Sequence, residues 1–336
     1  MIITEEEIKH LFNKFNSCRV LVIGDVMIDS YLIGKVDRIS PEAPVPVVAL
    51  KQRDNMLGGA ANVALNIRSL GAEAILCSVI GNDTQSEVLL RLMKNEGLKT
   101  DGIIRSSERI TTTKFRIIGN RMQMLRVDEE IDTDLSEKDS AELINCISNL
   151  ISEQKPDVII LQDYNKGVLS PEVIKSVAEI AAQHGISVAV DPKKKNFTEY
   201  KNITLFKPNL KEIGEGLKIE VDPLSIESLQ KAADILHMSQ NIALVLITLS
   251  EHGVFISFKD SKGNGSKIIP AIMRSIADVS GAGDTVISVA ALCLAAKTDH
   301  FLMAALSNLA GGLVCEQAGV VPVDKYMFMA EASVEL

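Results

Sequence analysis

From about residue 136 onward the sequence alternates short apolar segments with longer amphipathic ones, and this alternation restricts the possible folds. The predicted strands in this half are 157–162, 186–191, 203–206 and 243–248. Strands that alternate with helices form parallel β/α units with right-handed crossovers. The pattern therefore predicts an α/β fold, in which helices flank both faces of a doubly wound, mostly parallel sheet.

Two segments nearer the N-terminus have a different character. Residues 31–57 and 103–127 interleave apolar and polar side chains, which is typical of strands with one face in solvent. We expect these segments to form a small β-sheet lid outside the main sheet. No repeat or long linker interrupts the sequence, so residues 1–336 are predicted to form a single domain.

Composition limits the classes of partner. The formal net charge is −9, which argues against a nucleic-acid groove or a basic membrane face. The five cysteines include no Cys-x-x-Cys pair, and the N-terminus is polar with no signal peptide. No apolar segment reaches the length of a membrane span without a polar break. These features predict a cytoplasmic protein with free thiols.

A turn of small residues precedes an apolar helix, predicted over 284–297. Gly281, Ala282 and Gly283 would leave backbone N–H groups uncovered at the helix N-terminus, which suits a phosphate. Asp284 would repel that anion unless it accepts a proton from an incoming hydroxyl. An anion hole and a base together indicate phosphoryl transfer to an alcohol. The alternative is that Asp284 only caps the helix and the glycines make a tight turn.

Other polar residues follow predicted strands, where ligands bind in parallel sheets. Asp25 and Asp29 could accept hydrogen bonds from sugar hydroxyls. Gly58 and Gly59 could let a sugar approach the backbone, and the Asn62 amide could bind a hydroxyl. Each of these residues is also explained as a turn or packing residue, so both interpretations remain open.

Charged residues supply two further candidates. Asn209 and Glu212 have the spacing of a capping box, and the same pair could order magnesium-bound water near a phosphate. Lys114 and Arg126 belong to a basic group on the predicted lid strands and could hold a substrate phosphate. A solvated sheet edge is the alternative for these two. The histidines lack zinc spacing, and no P-loop or dinucleotide fingerprint occurs.

Taken together, these motifs resemble those of the ribokinase-like (PfkB) sugar kinases. The segment from Gly58 to Asp83 resembles the family's N-terminal motif, and Asp278 to Asp284 resembles its C-terminal motif. Asn209-x-x-Glu212 stands where the family has its magnesium-linked motif. The resemblance implies ATP and Mg²⁺ as cofactors, leaves a monovalent cation open, and implies Asp284 as the base.

A narrower resemblance is to the heptose 7-phosphate kinases of ADP-heptose synthesis. The segments that carry it are 24–31, 38–47, 111–114, 125–128, 163–167 and 191–193. It implies phosphorylation of the anomeric hydroxyl of D-glycero-β-D-manno-heptose 7-phosphate, a step toward the lipopolysaccharide core. Many members also carry an adenylyltransferase domain. Because this sequence ends at Leu336, we expect no such domain here and regard a separate adenylyltransferase as a possible partner.

The resemblance also assigns roles to individual residues. Those implied to contact ATP or its magnesium are Asn209, Lys211, Glu212, Thr248, Ser250, Gly253 and Asn308, with Glu212 acting on the metal through water. Those implied to contact the sugar or its distal phosphate are Asp25, Asp29, Gly58, Gly59, Asn62, Lys114, Arg126 and Lys193. Ser250 stands where wider family members tend to have Gly.

Two rival functions stay open, and one assembly is expected. The protein could be another kinase of this type, acting on ribose, fructose or adenosine. It could also be a non-catalytic sensor of nucleotides or sugar phosphates on a kinase fold.

An isolated lid sheet has open edges, and pairing two lids in a homodimer would cover them.

Overall fold

The computed structural model describes residues 3–261 and 263–336. Met1, Ile2 and Lys262, which the predicted single domain includes, lie outside the described residues. The helices are Glu5–Phe15 (α1), Ala60–Ser69 (α2), Thr84–Asn95 (α3), Glu137–Gln154 (α4), Pro171–His184 (α5), Leu210–Leu217 (α6), Ile226–Ser239 (α7), Ala282–Ala295 (α8), His300–Cys315 (α9) and Lys325–Glu335 (α10).

Two sheets account for all the strands in the described residues. The strands are Arg19–Gly24 (β1), Val26–Ile39 (β2), Pro46–Gly59 (β3), Glu73–Gly81 (β4), Ile103–Ser106 (β5), Thr113–Gly119 (β6), Met122–Glu129 (β7), Val158–Gln162 (β8), Ser187–Asp191 (β9), Leu205–Phe206 (β10), Leu244–Thr248 (β11), Val254–Asp260 (β12) and Gly263–Ile269 (β13). The larger sheet has the order β13-β12-β11-β10-β9-β8-β1-β4-β5, and the smaller one β3-β2-β6-β7.

The larger sheet confirms the predicted doubly wound α/β architecture. Its strands from β11 to β5 are parallel, and the β12–β13 hairpin adds two antiparallel strands at one edge. Strand β1 lies between β8 and β4, so strands that follow it in the chain add to the sheet on both of its sides. Ligand crevices form where the strand order reverses in this way.

Side chains of the central strands alternate between two aliphatic cores. On β1, Val20 and Val22 pack with α1, α2, α8 and α9, whereas Leu21 and Ile23 pack with α4, α5 and α7. A parallel strand covered on both faces reads as an uninterrupted apolar segment, as residues 20–23 do. No described helix is both long enough and apolar enough to cross a bilayer.

The smaller sheet corresponds to the predicted lid, with two corrections. Ile103–Ser106, which we expected in the lid, pairs in parallel with β4 and forms the edge of the larger sheet. The lid segment predicted to end at residue 57 continues through Gly58 and Gly59, which end strand β3, and α2 begins at Ala60. The lid strands are also longer than expected. Strands β2 and β3 each contain 14 residues and extend out of the core.

An aromatic contact joins the two ends of the chain. The ring of Phe12 on α1 packs against Phe328 on α10, with ring centroids 5.0 Å apart, and both side chains are fully buried. Helix α1 begins with a capping box between Thr4 and Glu7, and its buried face includes Phe12. The sequence did not predict α10, which completes this packing.

Truncating this contact tests how much it stabilises the fold. We expect Phe328→Ala to lower the free energy of unfolding by about 3–5 kcal/mol, because it removes a fully buried ring and leaves a cavity. Tyr326→Ala in the same helix is the control, since that side chain is 75% exposed. Urea unfolding of both variants gives the comparison. An equal, small loss in both would show that α10 adds little to the fold.

Candidate active site

The turn before α8 has the backbone geometry that an anion site requires. Gly281 is the N-cap in the left-handed region, with φ of 82°. Asp278 holds the turn by accepting hydrogen bonds from the backbone N–H groups of Ser280 (2.9 Å) and Gly319 (3.1 Å). The first N–H groups of a helix have no intrahelical acceptor. One of them, that of Ala282, donates a long bond of 3.4 Å to the Val279 carbonyl.

Asp284 lies one residue beyond this turn and is buried. Its Oδ2 accepts a hydrogen bond from Asn62 Nδ2 (2.7 Å) on α2. Its Oδ1 accepts from the Tyr164 hydroxyl (2.8 Å) and from Gln162 Nε2 (3.1 Å). Burial raises the pKa of Asp284 to about 6, against the hydrogen bonds that lower it. Its bonds go to other elements of the fold, and α8 has no side-chain cap bond at its N-terminus, so this carboxylate does not cap the helix.

Unsatisfied acceptors converge on this carboxylate. Asn62 Oδ1, Gln162 Oε1 and Asp191 Oδ1 are buried and find no hydrogen-bond partner among residues 3–261 and 263–336. Buried polar atoms are normally hydrogen-bonded, so three such acceptors in one place indicate a site for a ligand rich in donors. A sugar carries such donors on its hydroxyl groups.

A buried ammonium group in the same cavity as Asp284 was not predicted from the sequence. Lys207 is 2% exposed and pairs with Asp191, with 3.1 Å between Nζ and Oδ2. A Cβ atom placed on Gly283 would lie 3.6 Å from the Lys207 Nζ. With Gly281, Gly283 and Asp284, it lines a cavity of about 200 Å³. The only signal in the sequence was its position directly after a predicted strand.

The larger cavity adjoins this one through Gly283 and has a volume of about 520 Å³. It contains six of the residues that the resemblance assigned to ATP: Asn209, Lys211, Thr248, Ser250, Gly253 and Asn308. Aliphatic side chains such as Ile272, Val286 and Leu309 line much of the rest. A mostly apolar cleft that also contains polar side chains fits a nucleotide, whose base is flat and whose phosphates are charged.

Asn209 and Glu212 form the predicted capping box at the start of α6. The Asn209 side chain accepts from the Glu212 N–H (2.8 Å), and the Glu212 carboxylate accepts from the Asn209 N–H (2.9 Å). Glu212 also pairs with Lys193. Burial lowers the pKa of Lys193, but the carboxylates of Asp191 and Glu212 outweigh burial and raise it above its ordinary value.

These contacts limit how the residues could hold the implied magnesium ion. Both Glu212 oxygens already accept hydrogen bonds, and the described residues include no cluster of three His, Cys, Asp or Glu side chains able to hold a metal. Carboxylate and amide oxygens beside a phosphate cavity still suit Mg²⁺, which keeps several waters in its coordination shell. The residues therefore fit an ion held through water.

Asp25 and Asp29 both follow β1 in the sequence, but their carboxylates make different contacts. Asp25 accepts three backbone hydrogen bonds, from Tyr164 (2.8 Å), Lys166 (3.1 Å) and Val168 (3.1 Å). Its carboxylate therefore holds the loop after β8, and direct sugar contact does not follow from this geometry. Asp29 instead pairs with Arg116 on β6, where the lid meets the core.

Gly58 and Gly59 pack closely against these two aspartates. A Cβ on Gly58 would lie 2.4 Å from Asp29 Oδ2, and one on Gly59 would lie 2.3 Å from the Asp25 carbonyl oxygen. Gly59 also has φ of 61°, in the left-handed region. Close packing therefore accounts for both glycines, which was one of the two interpretations open from the sequence.

The basic candidates divide into two groups. The ammonium groups of Lys114 and Lys193 both lie 5.6 Å from the centroid of the Tyr164 ring, whose hydroxyl reaches Asp284. Burial and the nearby Arg126 lower the pKa of Lys114. Arg126 is bound to Asp128 through two hydrogen bonds of 2.8 and 2.6 Å on the exposed strand β7.

Comparison with known proteins identifies the family. Residues 18–325 match the family described as pfkB family carbohydrate kinase. The chain belongs to the pfkB family. It is therefore a carbohydrate kinase, and the site around Asp284 lies within the matched region.

Curated relatives of this pfkB kinase include proteins named bifunctional protein HldE. The one from Desulfatibacillum aliphaticivorans is 39% identical over 94% of this chain and 63% of its own length. The one from Helicobacter pylori (strain J99 / ATCC 700824) is 38% identical over 90% of this chain and 63% of its own length. The chain thus spans less than two thirds of these relatives.

Solved structures of other sugar kinases share the fold. Phosphofructokinase-2 from Escherichia coli in complex with potassium superimposes with a TM-score of 0.75 at 20% identity, covering 94% of this chain and 99% of that one. Arabidopsis thaliana ribokinase complexed with ribose and ATP gives 0.72 at 16% identity, covering 93% and 99%. These likenesses confirm the ribokinase-like fold of the pfkB kinase.

The raised pKa of Asp284 predicts a measurable dependence of stability on pH. The folded-state pKa of about 6 exceeds the ordinary 3.8, so the proton contributes stability that is complete below pH 3.8 and lost as the pH rises through 6. Relative to Asp284→Asn, the wild type should gain about 1 kcal/mol of unfolding free energy between pH 8 and pH 5. Urea unfolding of both proteins at each pH measures this difference. An unchanged difference would indicate an ordinary pKa.

Proposed function

We propose that this pfkB kinase transfers the γ-phosphoryl group of ATP to the anomeric hydroxyl of D-glycero-β-D-manno-heptose 7-phosphate, in ADP-heptose and lipopolysaccharide core biosynthesis. Identity of 37–40% to proteins named HldE, over 90% or more of the chain, supports this choice within the family. The observation that carries this choice is that the ammonium groups of Lys114 and Lys193 both lie near the Tyr164 ring. Buried acceptors without a hydrogen-bond partner lie close by, around Asp284.

In this proposal the nucleotide occupies the 520 Å³ cavity, with its base toward Asn308 and its phosphates toward Gly281 and Gly283. Lys207 adds a buried positive charge beside the transferring group. Negative charge spreads over the phosphoryl oxygens in the transition state, so fixed N–H groups and an ammonium lower its free energy. Mg²⁺ would neutralise the phosphates, and Asn209 and Glu212 would orient its water ligands.

Asp284 is the proposed base. It accepts the proton of the sugar hydroxyl as the oxygen–phosphorus bond forms and the bond from the γ-phosphorus to the bridging oxygen breaks, which releases ADP. A pKa of about 6 suits this role, because the group is ionised at neutral pH and remains basic enough to take the proton. Burial excludes water, which would otherwise compete with the sugar as acceptor.

The sugar is proposed to lie between the lid and the core. Asp29, Asn62 and Gln162 would bind its hydroxyls, and the glycine backbone at Gly58 would form the floor. The distal phosphate is proposed to bind Lys114 and Lys193, with Arg126 at the margin, as was expected from the sequence. Asp25 acts indirectly in this arrangement, since it shapes the loop that carries Tyr164.

The lid is also the proposed dimer interface. Its strands expose several large apolar side chains, namely Ile39, Leu50, Met122, Leu125 and Val127. Exposed apolar patches on a sheet with open edges are typical of surfaces that pair. A second copy of the chain would cover both the patch and the edges.

A substrate comparison tests the proposed reaction. We expect ADP release from Mg-ATP with the heptose 7-phosphate, and little with fructose 6-phosphate, ribose or adenosine. Asp284→Asn should lower turnover at least about a hundredfold, because the proton acceptor is removed. Asp299→Asn, at the exposed N-cap of α9, is the matched control and should keep its rate. Turnover with a neutral sugar would replace the substrate assignment. Near-normal activity in Asp284→Asn would remove the assignment of that residue as the base.

A second variant tests the distal phosphate site. Lys114→Gln should raise KM for the sugar phosphate at least about tenfold, because a charged contact to phosphate is lost. The control is Lys99→Gln, whose side chain is exposed and pairs with Glu73 away from the site. Steady-state kinetics at fixed ATP give both values. An unchanged KM in Lys114→Gln would remove that lysine from the site.

A further inference from the structure

Tyr164 is held in place before any substrate arrives. Its backbone N–H donates to Asp25 Oδ2 at 2.8 Å, and the same carboxylate binds the N–H groups of Lys166 and Val168. Asp25 is 1% exposed, so these bonds are shielded from water. A loop fixed at three backbone points holds the backbone of Tyr164 in one position.

From that position the tyrosine contacts both parts of the site. Its hydroxyl donates to Asp284 Oδ1 at 2.8 Å. Its ring lies near Lys114, which belongs to the lid, and near Lys193, which follows β9 in the core. Cations are attracted to the face of an aromatic ring. The Tyr164 side chain thus contacts both lysines and the carboxylate, and it connects the lid to the core. The sequence assigned no function to segment 163–167, which contains this tyrosine.

The hydrogen bonds distinguish the two oxygens of Asp284. Oδ1 accepts from both Tyr164 and Gln162, whereas Oδ2 accepts only from Asn62 within the described residues. Each carboxylate oxygen offers about two lone-pair positions. Oδ1 is therefore saturated, and Oδ2 keeps one position for a further donor.

We propose that Tyr164 is a positioning residue for the base: together with Gln162 it saturates Oδ1, so that Oδ2 is the atom that accepts the proton of the sugar hydroxyl. The proposal rests on the role of Asp284 in the proposed function. The tyrosine keeps its own proton throughout. It orients the carboxylate and stabilises the ionised form, which is the form able to act as a base.

The charged groups around Asp284 determine how its pKa would change if the Tyr164 hydroxyl were removed. Asp191 at the end of β9 raises the pKa of Asp284, and Lys207 after β10 lowers it. Lys193, two residues after Asp191, lines the same cavity and pairs with Glu212. Asn62 on α2 and Gln162 on β8 are neutral donors. Without the hydroxyl, fewer donors would oppose the effects of burial and of Asp191, so the pKa should rise.

Tyr164→Phe tests this role because it keeps the ring and removes only the hydroxyl. We expect kcat at pH 8 to fall about tenfold, as for loss of a hydrogen bond to a charged group, with KM for Mg-ATP within about twofold of wild type. The acid limb of the kcat profile should also move to higher pH by about one unit. Tyr200→Phe is the matched control. It removes a tyrosine bond of 2.7 Å to another buried carboxylate, Asp163, and should leave the limb in place.

A readout independent of turnover separates this inference from the substrate assignment. In protein labelled with ¹³C at the aspartate carboxyl carbon, the Asp284 resonance is the one missing from Asp284→Asn. Its apparent pKa should rise by about one unit in Tyr164→Phe and stay unchanged in Tyr200→Phe. That result supports the positioning role even if the heptose phosphate proves not to be the substrate. An unmoved titration, or an equal shift in both variants, overturns the role whatever the activity.

Discussion

The buried carboxylate of Asp284 is the constraint on which the rest of the site depends. An ionised group in a buried place is costly unless hydrogen bonds replace the lost water. Here the donors come from α2, from the end of β8 and from the loop that follows it. Helix α8 must therefore pack close to α2 and across the ends of the central strands. The two cores on either side of the sheet hold these elements at that distance.

Opposite charges in the site are arranged in pairs. Lys207 lies against Asp191, Lys193 against Glu212, and Arg116 against Asp29. An acidic chain thereby keeps cations where the proposed anionic substrates would need them, and each cation is held by a carboxylate. Such preorganisation lowers the reorganisation required when phosphoryl charge develops.

The sequence predicted the main sheet well because its strands are buried on both faces and read as uninterrupted apolar segments. It also predicted the turn before α8, where local residue types decide the geometry. It assigned Ile103–Ser106 to the wrong sheet, because a short edge strand and a lid strand show the same alternation. Asp25 and Asp29 looked equivalent, and only tertiary contacts separate them. The bond between Tyr164 and Asp284 joins residues 120 positions apart, which no local pattern reveals.

Strands β2 and β3 pass without a break from the core into the lid, and their ladder has irregularities between Ile33 and Gly34 and between Val36 and Arg38. Asp29 lies on the core side of both points. Register shifts of this kind bend a strand and increase its twist, so the irregular part of the lid begins beyond this carboxylate. A bend confined to that irregular part would leave Asp29 in register with Met56 on β3 and with Lys114 on β6.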